Sequence, residues 1–256
     1  MSSSLAGQTA LITGAGSGLG RAAALALAEA GATVVVTELP DRLEAAAETV
    51  ALVEAVGGRA SALPLDVLDL DSIAACVRDA AAMTGRLDLL VNNAGVAIRK
   101  RALDLTEEDW DRVLDVNLKG VFFVAQAVGR VMRDQSPQGG AIVNMASIMG
   151  LGGYWDRAAY CTSKAGVVNL TRVLAIEWAE IGIRVNAVCP TFVDTPLTRP
   201  IFAANPAFTA DVMDRTPMRR LATPEEVATA TLYLLSPAAG MTTGHALPVD
   251  GGWTAW

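Results

Sequence analysis

The sequence predicts a doubly wound parallel α/β sheet of about seven strands with helices on both faces. Three observations carry that prediction. Short apolar runs, rich in β-branched residues, recur along the chain. Longer Ala/Leu-rich segments with helix caps separate them. The 256 residues are 52% hydrophobic and only 18% charged, enough apolar side chain for one large core. Nearly continuous apolar strands are buried on both faces, and strands separated by helices pair in parallel through crossovers.

The elements follow in order. Thr9–Thr13 reads as a strand, and Leu19–Ala30 as a helix closed by Gly31. Thr33–Thr37 is a strand made almost entirely of valine. A helical segment over 41–56 leads to a third strand, Ala60–Leu65. Another over 69–83 leads to a fourth, Leu87–Val91. Thr106 ahead of Glu107-Glu108-Asp109 caps one long helix over 107–133. Ala141–Met145, a helix over 158–181 and Ile183–Val188 come next. Thr223 before Pro224-Glu225-Glu226 opens a helix over 224–235, and Ala246–Val249 is a short last strand. The stretch 190–220 is the least regular, with prolines at 190, 196, 200, 206 and 217. Following a strand end, it reads as a substrate-covering insert in one domain spanning 1–256.

Composition excludes several classes. A net charge of −7 argues against nucleic acid or an anionic membrane as partner. Cys76, Cys161 and Cys189 lie far apart without a CxxC pair, and His245 is the lone histidine. A zinc site, a disulfide framework and a Ser–His–Asp hydrolase are therefore not expected, and no metal is assigned. The chain opens without a basic region followed by an apolar stretch. Its longest apolar runs fall far short of the roughly 20 residues that span a bilayer. A cytoplasmic protein is expected.

The first strand leads into Thr13-Gly14-Ala15-Gly16-Ser17-Gly18-Leu19-Gly20. The spacing is G-x-x-x-G-x-G, through Gly14, Gly18 and Gly20, and not the strict G-x-G-x-x-G. Glycines admit positive φ and let a backbone approach a pyrophosphate, which the following helix N-terminus attracts. Gly14, Ser17, Gly18, Leu19 and Gly20 are thus candidate dinucleotide-binding residues. Glu38 ends the second strand, 24 residues after Gly14. A carboxylate there accepts hydrogen bonds from an adenosine ribose and repels a 2′-phosphate, which predicts NAD over NADP. Arg42, four residues on, is the group able to reverse that preference.

Tyr160-Cys161-Thr162-Ser163-Lys164 places a phenol and an amine one helical turn apart. A free tyrosine has a pKa of about 10, and a neighbouring ammonium favours phenolate. A shift of two to three units, roughly 3–4 kcal/mol, makes Tyr160 a usable proton donor or acceptor.

Residues from about 8 to 253 resemble the short-chain dehydrogenase/reductase family in its compact single-domain, Rossmann-like form. The likeness rests on five motifs in one order: the Thr13–Gly20 turn, Asn92-Asn93-Ala94-Gly95 after the fourth strand, Asn117, Ser147 thirteen residues before the tyrosine, and Tyr160/Lys164. The resemblance implies a hydride transfer between a nicotinamide cofactor and a secondary alcohol or ketone. Tyr160 is the implied acid/base, Lys164 its partner on the nicotinamide ribose, Ser147 the anchor of the substrate oxygen, and Asn117 the holder of a relay water. Asp66 and Val67 flank the adenine, Asn93, Ala94 and Gly95 line the groove, and Val193 and Thr195 meet the carboxamide. Where the family usually has Pro-Gly, this chain has Pro190-Thr191. That turn and the Val249-Asp250-Gly251-Gly252-Trp253 ending look like relatives that oxidise sugars, sugar acids or polyols. The rivals are a 3-oxoacyl-[acyl-carrier-protein] reductase and a non-catalytic nucleotide-binding regulator. The resemblance also implies a homotetramer.

Other residues have two readings. Tyr154 and Trp155 are candidate walls of a substrate pocket. Arg99-Lys100-Arg101 is either an attractor for an anionic substrate or a solvated basic turn. Asn92-Asn93 ties down backbone, contacts cofactor, or both. His245 reads as structural, Cys161 shows no sign of thiolate activation, and the apolar Trp253–Trp256 tail is expected at a subunit contact.

Overall fold

The computed structural model describes residues 5–195 and 198–255. Its strands are β1 (Thr9–Ile12), β2 (Thr33–Glu38), β3 (Arg59–Pro64), β4 (Leu89–Asn92), β5 (Gly140–Met145), β6 (Ile183–Pro190) and β7 (Ala246–Val249). Among the described residues they form one parallel sheet in the order β3-β2-β1-β4-β5-β6-β7. The order reverses between β1 and β4. In open α/β sheets a crevice forms there, beyond the carboxyl ends of the strands, and takes ligands.

Alternation along each strand sorts its side chains into two cores. Ala10, Ile12, Val34, Val36, Leu89, Val91 and Val143 pack on one face of the sheet. Leu11, Val35, Leu90, Ile142 and Val185 pack on the other. The first core is completed by Ala23, Ala24 and Leu27 of α1 (Gly18–Glu29) and by Val227 and Leu234 of α9 (Pro224–Leu235). Opposite, Ile73 and Val77 of α3 (Leu70–Thr84), Val124 and Val128 of α5 (Val121–Asp134) and Leu174 of α6 (Ala158–Trp178) fill the second. Each fully buried Val or Leu contributes about 1.5–3 kcal/mol, so a strand displaced by one residue would put both sets wrong. Helix α2 (Leu43–Ala55) packs beside β2 and β3.

The two cap motifs form as expected. Thr106 and Asp109 close a capping box on α4 (Glu107–Leu114), and Thr223 and Glu226 do so on α9. Gly31, with φ +99°, follows the end of α1.

Two expectations need correction. The single helix over 107–133 is α4 and α5 joined by a π-helical turn, Asp115–Gly120. A π-turn carries one residue more per hydrogen-bonded ring, and such turns recur at functional sites; this one holds Asn117. The 190–220 stretch is less irregular than its prolines suggest. It contains α7 (Arg199–Ala204) and α8 (Pro206–Arg215). Pro200 and Pro206 stand in the first turns of those helices, where the missing N–H has no intrahelical partner to lose.

Candidate active site

The glycine turn is built by exclusion of side chains. Gly14 and Gly18 have φ of +61° and +55°. A Cβ on Gly20 would stand 2.5 Å from the Gly14 carbonyl and 2.6 Å from Asn93 Nδ2. The turn is braced from β4: Asn93 Nδ2 donates to the carbonyls of Thr13 (3.0 Å) and Gly14 (2.9 Å). Thr13 Oγ1 accepts from the backbone N–H groups of Asn93 and Ala94, both at 2.9 Å. Asn92 reaches inward to Asn144 Oδ1 at 3.0 Å. So the Asn92-Asn93 pair does tie down backbone, and the backbone it holds is the glycine turn.

Helix α1 starts from Ser17, whose side chain makes no capping bond among the described residues, and Gly18-Leu19-Gly20 bring no acid to the first turn. Its leading N–H groups and positive dipole end remain available for an anion. The buried Glu38 carboxylate lies under the turn, accepting from Gly16 N (3.3 Å) and Leu39 N (3.2 Å). Arg42 Nη1 is 3.9 Å from it, at the edge of ion-pair range. After β3, Asp66 Oδ1 accepts from Leu68 N at 2.9 Å, and Val67 packs against Gly120 of the π-turn. A turn with no room for a Cβ at Gly16 or Gly20 and positive φ at Gly14 and Gly18, an uncapped helix and an acid at the end of β2 fit a dinucleotide.

Ser147 follows β5, and its Oγ accepts from Met149 N at 3.1 Å. Lys164, 4% exposed, donates to the Met145 carbonyl at 2.7 Å. Burial brings the Lys164 ammonium down to a pKa of about 8. Its Nζ lies over the Tyr160 ring, 5.7 Å from the centroid. Burial raises the Tyr160 pKa, opposed by the Ser147 hydroxyl and then by the Arg157 charge. In the free enzyme burial is thus the largest influence on the Tyr160 phenol, and it acts against the priming expected of Lys164. Helical spacing puts the amine over the ring and on a carbonyl.

Asn117 is fully buried, and its amide is fully engaged. Its Oδ1 accepts from Val96 N, and its Nδ2 donates to Val96 O, both at 2.8 Å. The same Nδ2 donates to Ser163 Oγ at 3.2 Å, and Ser163 Oγ donates to the Tyr160 carbonyl at 2.8 Å. The π-turn thus couples the segment beyond Gly95 to the first turn of α6.

The opposite wall is aromatic. Tyr154 packs edge-on against Phe192 and Trp253, with centroids 5.8 and 5.9 Å away, and its hydroxyl donates to Asp211 Oδ2 of α8 at 2.7 Å. Burial and that carboxylate push the Tyr154 phenol up to about 12. Phe192 also meets Phe202 of α7 and Phe208 of α8. Trp155, by contrast, is 68% exposed. A hollow of about 500 Å³ lies beside this wall, lined by Tyr154, Trp155, Asp156, Arg157, Arg101 and Arg215. Ser147, Tyr160 and Lys164 are not among its lining residues. Val193 bridges Ala222, and its carbonyl accepts from Thr198 Oγ1, which also receives Thr195 N. Thr191, which replaces the usual glycine, has a buried Oγ1 without a hydrogen-bond partner among the described residues.

The structure therefore gathers the glycine turn, Glu38, Asn93–Gly95, Asn117, Ser147, Tyr160 and Lys164 around one sheet edge, with Val193 and Thr195 just beyond β6. Sequence reasoning missed Arg157, Phe192, Phe208 and Asp211. For Arg157 a signal existed, since it stands three residues before Tyr160. For the others none did, because their meeting depends on how α7 and α8 fold back. Trp253 is not an exposed tail residue: its ring packs in the same chain's aromatic wall. Trp256 lies outside the described residues. His245 is exposed, and its backbone N–H donates to Asn186 Oδ1 at 3.0 Å.

Comparison with known proteins agrees with this geometry. The family model described as Enoyl-(Acyl carrier protein) reductase matches residues 14–254. The chain is 44% identical to cis-4-hydroxycyclohexanecarboxylate dehydrogenase of Sinomonas cyclohexanicum, covering 100% of both chains. It is 45% identical to galactitol 2-dehydrogenase of Rhizobium johnstonii, over 98% of this chain and 97% of that one. A solved short-chain type dehydrogenase/reductase from Mycobacterium marinum superposes with a TM-score of 0.93 at 37% identity, covering 100% of this chain and 98% of the other. The chain thus belongs to the short-chain dehydrogenase/reductase family and is an oxidoreductase acting on CH–OH groups.

Proposed function

We propose that this enzyme is an NAD-dependent dehydrogenase of a small secondary alcohol of the sugar-acid, polyol or cyclic hydroxy-acid kind. The observation that carries the reading is Tyr160 set beside Ser147 and Lys164 at the sheet edge that also holds the glycine turn. Bound nicotinamide supplies or accepts the hydride. The chain does the rest. Ser147 hydrogen-bonds the substrate oxygen, and Tyr160 takes its proton in oxidation or returns it in reduction. Lys164 places a buried positive charge behind the phenol ring, and Asn117 positions the first turn of α6. The Gly14–Gly20 turn, with Ser17 and Leu19, holds the pyrophosphate. Asp66 and Val67 border the adenine; Asn93, Ala94 and Gly95 line the groove; Val193 and Thr195 face the carboxamide. Tyr154 and Trp155 wall the substrate side, and the insert over 190–220 covers it.

NAD is favoured by Glu38. A ribose diol donates to its carboxylate, whereas a 2′-phosphate meets a buried negative charge. Arg42 opposes this, and known relatives and structural neighbours include both NAD and NADP users. The substrate reading draws on relatives named for a neutral polyol and for a ring carboxylate. Three free cysteines support a reducing, cytoplasmic setting. No helix among the described residues is long and apolar enough to cross a membrane. Exposed Val173 and Ile176 on α6 support assembly into a homotetramer. The test is a screen of sugar acids, polyols, cyclic alcohols and 3-oxoacyl thioesters with both cofactors, read by nicotinamide absorbance. Higher kcat/KM with NADPH overturns the cofactor assignment, and preference for the thioester overturns the substrate reading.

A further inference from the structure

The basic residues around the aromatic wall divide into two groups. Lys100 is ion-paired with Asp109, Arg101 with Asp156, Arg199 with Asp194, and Arg215 with Asp211. Arg99 and Arg157 have no carboxylate partner among the described residues. Instead each lies over a ring. The Arg99 guanidinium is 4.9 Å from the Phe208 centroid, and the Arg157 guanidinium is 5.7 Å from that of Phe192. Those two rings are 5.5 Å apart, so the aromatic pair holds both cations on one wall. Cation–π contact retains a guanidinium but leaves its N–H fork free. Arg157 Nε is buried and has no hydrogen-bond partner among the described residues.

Two like charges held close together, without a counter-charge, favour an anion between them. Burial and the Arg99 charge both lower the Arg157 pKa, and the Arg157 charge reaches the Tyr160 phenol. Arg157 is also the residue from which α6 starts, three positions before Tyr160.

We propose that Arg157 and Arg99 form an anion subsite beside Tyr160 that takes the carboxylate of the substrate, which makes the substrate a hydroxy acid or oxo acid and not a neutral polyol. The fork of a guanidinium matches the two oxygens of a carboxylate. Phe192, Phe208, Tyr154 and Trp253 face the carbon skeleton, and the reacting hydroxyl meets Ser147 and Tyr160. This inference rests on the proposed role of Tyr160 and adds the chemical class of the substrate.

The test compares matched substrates: a sugar acid with the alditol of the same carbon skeleton, and 4-hydroxycyclohexanecarboxylate with its amide. The intact enzyme should prefer the acid of each pair. Arg157→Gln should lower the acid-to-neutral ratio of kcat/KM by about tenfold or more, chiefly through KM for the acid, as loss of a charged hydrogen bond does. Arg157→Lys should restore part of it, and the exposed Arg99→Gln should lower the same ratio less. Equal use of acid and neutral members, equal loss on both in Arg157→Gln, or preference for a sugar phosphate overturns the subsite. Tyr160→Phe separates the two readings. If it retains turnover, the acid/base assignment fails whatever the arginines do. If it is inactive while the arginine variants are blind to substrate charge, only the subsite fails.

Discussion

The two halves of the site are built differently. The half around the glycine turn is mostly backbone: Gly14 and Gly20 lie close against their neighbours, Gly18 holds a positive φ, and Thr13, Asn93 and Ala94 brace the turn by hydrogen bonds between the ends of adjacent strands. The half beyond β6 consists of side chains. Tyr154, Phe192, Phe208, Asp211 and Trp253 come from four separate stretches and meet only because α7 and α8 fold over the sheet edge. A backbone cradle recognises what every family member shares, so it tolerates almost no change. A side-chain wall is free to vary, and under the proposed function substrate choice resides there.

The largest expected effect breaks neither half but the chemistry between them. Tyr160→Phe removes the proton carrier and should lower kcat by about 10²–10⁴-fold, while binding of NAD, followed by calorimetry, persists. Turnover near that of the parent would remove Tyr160 from the reaction.

In the cofactor half, Gly20→Ala forces a Cβ to 2.5 Å from the Gly14 carbonyl, a backbone group that cannot swing aside. Stability should fall by about 1–3 kcal/mol or more, and KM for the cofactor should rise with that for substrate little changed. Denaturant unfolding and steady-state kinetics read both. A stable variant with unaltered cofactor KM would show the turn is not a rigid cradle.

The substrate half predicts the converse. Asp211→Ala removes the acceptor of the Tyr154 hydroxyl, a bond worth about 1–3 kcal/mol because one partner is charged. KM for substrate should rise by roughly three- to tenfold, with cofactor KM unchanged. Equal effects on both would mean that the two halves are not independent.

A further effect is a pH dependence of stability. Lys164 has a folded pKa of about 8, lowered by burial from 10.5. The unfolded chain therefore binds more protons between those values, and stability rises with pH across that window. Below about pH 8 the cost of burying the ammonium is present in full. The stability of the parent relative to Lys164→Met should improve as pH rises from 8 towards 10.5, measured by chemical denaturation. A flat difference would mean that the Met145 carbonyl compensates the burial completely.

Legibility in the sequence follows the same division. The strands were visible because β-branched runs such as Thr33–Thr37 leave no other packing option. The glycine turn, Ser147, Tyr160 and Lys164 were visible because each lies at a strand end or at a fixed helical spacing. The break at Asp115–Gly120 was not, since Asp115-Val116-Asn117-Leu118-Lys119 is compatible with continuous α-helix. What makes the π-turn there is tertiary: Gly120 against Val67, and the Asn117 amide closing on Val96 and Ser163. Pro200 and Pro206 suggested loop, yet at the starts of α7 and α8 they lose no intrahelical hydrogen bond.

By itself the sequence determined the sheet and singled out the glycine turn and Tyr160 as candidates for the dinucleotide site and the acid/base, because period-2 burial, glycine φ angles and short spacings are local properties. Tertiary structure alone decided which way the Tyr160 environment leans and which cations remain unpaired. Burial, ring contacts and counter-charges are supplied by residues far apart in the chain. Lys100 and Arg101 look like Arg99 in the sequence, and only folding pairs the first two with carboxylates and leaves the third over the Phe208 ring without one among the described residues.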